Sequence, residues 1–300
     1  MMSDFLRVFD MLAWFPENIS TFGQALDDLF AVIYWISVAI FFLTFGLMAW
    51  FMVRYRARPG HRGYNYHGNN VVELTWTILP TILFAGIGLY SDDIWEKTKY
   101  PEQMPAPDVE ILCLGKQFGW YFLYPGADGE FGANAYNNRA NRALMSATNP
   151  FGIDRNDPKA QDDFVVENQF RVPVNANVMV RGSSIDVLHS FFLPHARVKQ
   201  DVVPGTWMNI WFNLFKTGTY ELACAELCGG GHGAMRAEYK VLSKAEYDTW
   251  LDGEIAKQAA IMSASAESSE TPAGEAEASS EEASADAPSD NATDDVWGEE

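Results

Sequence analysis

Two uncharged apolar runs dominate the first third of the chain. No charged side chain occurs over the 25 residues 29–53, and none over the 18 residues 74–91. At about 1.5 Å per helical residue the first run exceeds the roughly 30 Å of a bilayer core. The second reaches it once Val71 and Val72 are added and Glu73 is placed at the interface. Both are predicted to span, Pro80 being tolerable inside a membrane helix. After the proline-rich stretch PEQMPAP the pattern changes period. Short stretches rich in Val, Ile, Phe, Trp and Tyr, at 109–114, 117–124, 177–182, 185–192, 207–213, 218–223 and 236–242, alternate with turn residues and predict an antiparallel sandwich or barrel. Residues 126–163, rich in Asn, Gly and Asp, read as a long inserted loop. Ser243 and Glu246 stand at capping-box spacing ahead of Tyr247, Trp250, Leu251 and Ile255, so a helix is expected over about 243–260. The chain thus divides into an N-terminal segment (1–24), a membrane hairpin (25–95), a linker (96–107), an all-β domain (108–242), a C-terminal helix (243–262) and a tail (263–300).

Charge orients these parts. Arg54, Arg56, Arg58 and Arg62 lie between the two apolar runs, whereas Asp27, Asp28, Asp92 and Asp93 flank them outside. Positive charge stays on the cytoplasmic side, which places both termini and the β domain on the outer face. Residues 1–22 hold no basic stretch before an apolar core and no small-residue cleavage site, so no cleaved signal peptide is expected. Of the formal charge of −19 over 300 residues, −12 comes from the tail, whose twelve acidic side chains are accompanied by no Lys or Arg. Such a tail cannot bury enough apolar surface to offset its ordering entropy and is expected to be disordered. The apolar runs exclude a wholly soluble protein, and the lack of a basic face excludes a nucleic-acid binder that works by phosphate neutralisation.

Candidate chemistry concentrates in YELACAELCGGGHGAMR, residues 220–236. Cys224, Cys228, His232 and Met235 follow at steps of four, four and three, but Gly229, Gly230, Gly231 and Gly233 make a helix costly, at about 1 kcal/mol each. A tight loop between two strands is predicted instead, and a loop can wrap its side chains around a point. Two thiolates, an imidazole and a thioether form a soft donor set that suits copper; Met is a poor zinc ligand. His189, in DVLHSFFLP, offers a second imidazole. One thiolate suffices for a mononuclear electron-transfer copper, and a second invites bridging of two metals. Taken alone, Cys224 and Cys228 fit a disulfide equally well in an oxidising compartment. Cys113 reads as a small buried hydrophobe, His195 as a structural or surface imidazole, and His61 and His67 as solvated. No C-x-x-C-H occurs, so no c-type haem attaches to this chain.

ELTWTILP (73–80), DVLHS (186–190), VKQDVVPG (198–205) and CAELCGGGHGAM (224–235) together resemble subunit II of haem-copper cytochrome c oxidases over roughly residues 25–260. The resemblance implies a cupredoxin-like Greek-key barrel that carries a binuclear copper centre, CuA, with two coppers per chain. Cys224 and Cys228 would bridge, His189 and His232 would be the imidazole ligands, Met235 the weak thioether, and Glu226 a ligand through its carbonyl. The Glu226 side chain would also reach a magnesium ion shared with subunit I, and Glu73 would mark a proton-path entrance there, the alternative being a merely interfacial carboxylate. It implies electron entry from a cytochrome c and onward transfer to haem held by subunit I, for reduction of oxygen to water coupled to proton translocation. Subunits I and III would be partners, and the bacterial inner membrane the location. The acidic tail would be a solvated run or an electrostatic guide for a basic cytochrome.

Two features depart from the family pattern. Where the family carries a Trp-Tyr-Trp run, GKQFGWYFLY (115–124) has Phe118 and Gly119 and keeps only Trp120. Electron entry would then use Trp120, with Phe118 a poorer relay, unless Trp120 is simply core; a closely attached cytochrome is the other accommodation. The long insert and FLPHARVK are more similar to bacterial oxidases that associate with alternative complex III, which would supply the donor. A quinol-oxidase subunit would lack this ligand set, nitrous oxide reductase does not usually carry a two-span anchor, and a reversible copper carrier would show no mixed-valence state.

Overall fold

The computed structural model describes residues 15–269, apart from His61 and Tyr64. Helices α1 (Gly23–Arg54) and α2 (Asn70–Lys99) are long and apolar enough to cross a membrane, and their apolar side chains, such as Phe42, Leu43, Leu79 and Phe84, point outward. The Asn69 side chain caps α2 by accepting from the N–H groups of Val71 and Val72. Arg54 in the last turn of α1 and Glu73 in the first turn of α2 complement the helix dipoles. Helix α2 runs on to Lys99 and is followed by a single 3-10 turn, Pro101–Gln103, so the residues from Glu96 to Lys99 are helical rather than part of a linker.

Ten strands follow: β1 (Val109–Lys116), β2 (Gly119–Tyr124), β3 (Phe164–Glu167), β4 (Gln169–Pro173), β5 (Asn177–Ser184), β6 (His189–Leu193), β7 (Val198–Val202), β8 (Met208–Asn213), β9 (Gly218–Cys224) and β10 (Arg236–Leu242). They form two five-stranded sheets, in the orders β3-β2-β1-β5-β8 and β4-β10-β9-β6-β7. Strands β1 and β5, and β4 and β10, pair in parallel, and the remaining pairs are antiparallel. Facing side chains fill the space between the sheets: Ile111, Cys113, Trp120, Phe122, Phe170, Phe191, Phe212 and Leu222 are all buried there. The pattern reading finds seven of these strands and misses β3, β4 and β7. β3 and β4 are short and separated only by Asn168, whose positive φ of 54° turns the chain, and β7 is an edge strand whose VKQDV carries charges outward. The stretch expected at 185–192 begins as a turn and becomes strand only at His189.

The insert 126–163 contains no strand but is packed. Phe151, Ile153 and Ala160 bury against Leu112, Leu114 and Leu123 on the outer face of the first sheet. Carboxylates cap its backbone: Asp163 accepts from Gly132 N–H at 3.0 Å, Asp157 from Ala133 N–H at 2.7 Å and Asp162 from Ala127 N–H at 2.7 Å. The Asn and Asp residues that mark this segment as loop in the sequence are therefore its scaffold.

The segment before α1 is sewn onto the β domain. Ile19 is fully buried in its core, Ser20 pairs with Leu214, and Ile19 N–H donates to the His195 carbonyl at 2.9 Å. At the other end of the hairpin the Lys99 ammonium donates to the Lys199 carbonyl at 3.2 Å and to Gln200 Oε1 at 2.9 Å. Helix α3 (Lys244–Ser269) starts with the expected reciprocal cap, Glu246 Oε2 accepting from Ser243 N–H at 2.9 Å and Ser243 Oγ from Glu246 N–H at 3.3 Å. It continues past Ala260 to Ser269, so residues 263–269 of the segment expected to be disordered are helical. The remaining acidic residues, 270–300, and the N-terminal residues 1–14 lie outside the described residues.

Candidate metal centre

Cys224 ends β9, and the loop after it closes through a 3-10 turn, His232–Ala234, before β10 begins at Arg236. Backbone pairs hold the loop at both ends: Cys224 N–H donates to the Met235 carbonyl and Ala225 N–H to the Ser190 carbonyl, each at 3.1 Å. Gly229 has φ +129°, a conformation that side-chain-bearing residues rarely adopt. His189 opens β6, next to β9 in the sheet, and its ring lies against Gly115, where an added Cβ would come within 3.0 Å of it. A glycine on β1 thus makes room for the imidazole.

The loop gathers donors that are distant in sequence. Cys224 Sγ lies 3.8 Å from Cys228 Sγ and 3.9 Å from His189 Nδ1. Cys228 Sγ lies 3.7 Å from His232 Nδ1 and 3.8 Å from Met235 Sδ. The Glu226 carbonyl oxygen is 3.2 Å from Cys224 Sγ. The donor atoms of His189, Cys224 and Cys228 all fall within 4.8 Å of one another. Both cysteines are free and their sulfurs stand far beyond a bond of about 2.05 Å, so no disulfide links them here.

Electrostatics favour a cation at this point. Burial, and then the neighbouring Cys224 sulfur, push the Cys228 thiol up to about 11. Two adjacent thiolates therefore need a positive ion between them, and the soft sulfur and imidazole donors select copper. His189 and Met235 are fully buried and Cys228 nearly so, which keeps these three donors dry and fixed, while Cys224 and His232 are half-buried.

Around the donors stand groups that the sequence pattern does not single out. Asp186 accepts from His189 Nε2 at 2.8 Å through Oδ1 and from Gln117 N–H at 2.8 Å through Oδ2. Although burial opposes its charge, the N–H groups of Gln117, His189 and Val187 hold this carboxyl below the usual range. Gln117 in turn donates from Nε2 to the Cys228 carbonyl at 2.6 Å. The only local sign of Asp186 is its position three residues before the histidine. Gln117 has no such sign, because β1 and β2 bring it to the loop.

The other predicted site residues are placed differently. Trp120 is fully buried, with its ring 6.1 Å from that of His189, and its Nε1 has no partner. Phe118 is the exposed aromatic, 43% accessible, and its ring covers Gly229 and Gly231. Glu73 lies in the first turn of α2, about 40 Å along that helix from the end that meets the β domain. Cys113 is buried in the core, where desolvation raises its thiol pKa well above the ordinary value. The His195 ring packs on Tyr220 with centroids 4.9 Å apart, and burial, then Arg197, lower its pKa. His67 is exposed, and His61 lies outside the described residues.

Comparison with known proteins covers both parts of the molecule. Residues 109–241 match the family model for the periplasmic domain of cytochrome c oxidase subunit II, and residues 10–94 match that for its transmembrane domain. The alternative cytochrome c oxidase subunit 2 of Bradyrhizobium diazoefficiens is 32% identical over 80% of this chain and 83% of its own length. Cytochrome c oxidase subunit 2 of Thermostichus vulcanus is 27% identical over 78% of this chain and 76% of its own. The solved periplasmic domain of cytochrome oxidase subunit II of Bradyrhizobium japonicum is 30% identical, covering 51% of this chain and 98% of that one, with a TM-score of 0.37. An anchor and a β domain that each match, joined in one chain that aligns over most of a relative's length, establish that this membrane protein with a periplasmic CuA-type domain belongs to the cytochrome c oxidase subunit II family.

Proposed function

We propose that this chain is the electron-entry subunit of a bacterial terminal haem-copper oxidase. It accepts electrons from a cytochrome c, or from a cytochrome of alternative complex III, and passes them to the haem of subunit I, where oxygen is reduced to water with proton translocation. The observation that carries this reading is the convergence of Cys224, Cys228, His189, His232, Met235 and the Glu226 carbonyl on one buried point. A binuclear copper centre bound there would store one electron shared between two ions. Cys224 and Cys228 would hold it through their thiolates, His189 and His232 through their imidazoles, and Met235 and the Glu226 carbonyl more weakly.

The chain's own residues set the conditions for transfer. A loop that holds its donors in fixed positions lowers the reorganisation that accompanies each electron. Phe118, exposed over the loop, meets the donor, while Trp120 lies behind it against His189. Glu226 supplies a carboxylate for a magnesium ion at the face shared with subunit I, and Glu73 stands at the cytoplasmic edge as entrance of a proton path. With Arg54 at the end of α1 and Arg56, Arg58 and Arg62 in the loop before α2, both termini and the β domain lie on the periplasmic side of the inner membrane. Subunit III completes the membrane assembly.

Copper content and low-temperature EPR of the oxidised full-length chain in detergent test this reading. Two coppers per chain, with hyperfine coupling to both nuclei, are expected; one copper with a mononuclear spectrum refutes it. In the assembled oxidase, Glu226→Gln should keep the copper spectrum and lose bound magnesium or manganese. Unchanged metal content would refute the magnesium role alone.

A further inference from the structure

We propose that Gln117 and Asp186 form a bracket that fixes the distance between the two arms of the copper site, and that Gln117 is a positioning residue for both arms at once. This rests on the copper reading above. His189 belongs to β6 and Cys228 to the loop after β9, and the backbone pairing between them ends at Ser190 and Ala225, three residues short of Cys228. The bracket supplies the link. Asp186 takes the outward nitrogen of His189 on Oδ1, together with Val187 N–H at 2.7 Å, and takes Gln117 N–H on Oδ2. The same Gln117 then reaches 2.6 Å from its side-chain Nε2 to the Cys228 carbonyl. One residue on the turn between β1 and β2 thereby holds the imidazole arm through its backbone and the thiolate arm through its side chain.

The surrounding glycines are cut to this bracket. A Cβ on Gly229, the residue after Cys228, would lie 2.8 Å from Gln117 Nε2, and one on Gly115 would lie 3.0 Å from the His189 ring. Leaving Nδ1 free toward the sulfurs puts the His189 proton on Nε2, where Asp186 accepts it. A carboxylate in that position makes the imidazole a stronger donor and favours the oxidised metal. Asparagine at 186 has one acceptor oxygen where two are used, so its amide nitrogen must confront an N–H on one side or the other.

The test uses the full-length chain loaded with copper and compares Gln117→Leu, Gln117→Glu and Asp186→Asn, with thermal unfolding of the copper-free proteins as the fold control. Gln117→Leu removes the donor at similar size, and Gln117→Glu places a carboxylate against the Cys228 carbonyl. Both should release copper to a chelator 10- to 100-fold faster, the usual effect of losing an outer partner of a metal ligand. Asp186→Asn should shift the redox equilibrium toward the reduced centre about tenfold, or about 59 mV for one electron. It should also change the hyperfine pattern, which a purely structural role would not move. Combining Gln117→Leu with Asp186→Asn should cost less than the product of the separate effects, because each breaks the same bracket. Variants that fold and keep the wild-type release rate, potential and spectrum overturn the bracket. A wild-type chain without the two-copper spectrum overturns the copper reading itself, and the bracket with it.

Discussion

The carboxylate of Asp27, in the first turns of α1, receives two arms of the Arg197 guanidinium, at 2.8 Å from Nε and 3.1 Å from Nη2. Arg197 sits after the turn between β6 and β7, with φ +57°, and also donates to the carbonyls of Pro194 and Pro16. Both charged side chains are nearly buried, so this pair ties the membrane helix to the hairpin that begins with His189. Removing one partner leaves an uncompensated charge away from water. Asp27→Ala should destabilise the full chain by about 3–5 kcal/mol, measured by denaturant unfolding in detergent. Converting the pair to Asp27→Ala with Arg197→Met should recover much of the loss. A single variant as stable as wild type would show that the pair does not hold the helix to the domain.

Ile19 makes a second tie of a different kind, since an aliphatic side chain from before α1 fills the core between the two sheets. Ile19→Ala should cost about 2–5 kcal/mol, as for other buried large-to-small changes. A soluble fragment that starts at residue 100 lacks this side chain altogether and should unfold at lower denaturant than the full chain. Equal midpoints would contradict the packing role.

What the sequence makes legible follows from how local each signal is. Cys224, Cys228, His232 and Met235 are spaced within one loop, so donor type and glycine content suffice to mark them. The strand pattern carries the sandwich because inward residues such as Ile111, Cys113, Phe122 and Phe212 are spaced for burial. Other features depend on contacts that periodicity does not carry. Ile19 falls in the N-terminal segment (1–24) set apart from the β domain by pattern, yet its backbone bonds to His195 and Phe215 make it part of the domain. Gln117 is an ordinary polar residue until the turn between β1 and β2 brings it to the Cys228 carbonyl. The insert looks structureless because its order comes from side chains capping backbone groups, which leave no period.

Asp163 gives the insert a pH dependence. Its side chain is buried, Oδ2 accepts from Gly132 N–H, and Oδ1 has no partner. Burial raises its pKa from an ordinary carboxylate value to about 7, against the pull of the Gly132 N–H. The folded chain therefore keeps a proton that the unfolded chain has lost, and unfolding releases it between about pH 4 and pH 7. Stability from this group is fully present below about pH 4 and declines as pH rises to about 7. Asp163→Asn should flatten that slope and raise Tm by a few degrees at pH 8. A pH profile of Tm unchanged by the substitution would show that the carboxyl is not protonated in the fold.

Phe118 and Gly231 offer the sharpest test of how the copper loop is covered. A Cβ on Gly231 would stand 2.5 Å from Cγ and Cδ2 of the Phe118 ring, well inside any tolerable contact. Gly231 itself has an ordinary backbone conformation, with φ −92°, so alanine there is opposed by the ring and not by the chain. Gly231→Ala alone should force the ring off the loop or push the loop toward the ligands, with faster loss of copper to a chelator by about tenfold. Phe118→Ala removes the obstacle, at the cost of uncovering the loop and, on the proposed role of Phe118, weakening the contact with the donor by about 1–2 kcal/mol. The double variant should therefore retain copper better than Gly231→Ala alone while reacting with the donor as slowly as Phe118→Ala. If the two losses in copper retention simply multiply, the ring and the loop are independent, and Phe118 serves only the donor.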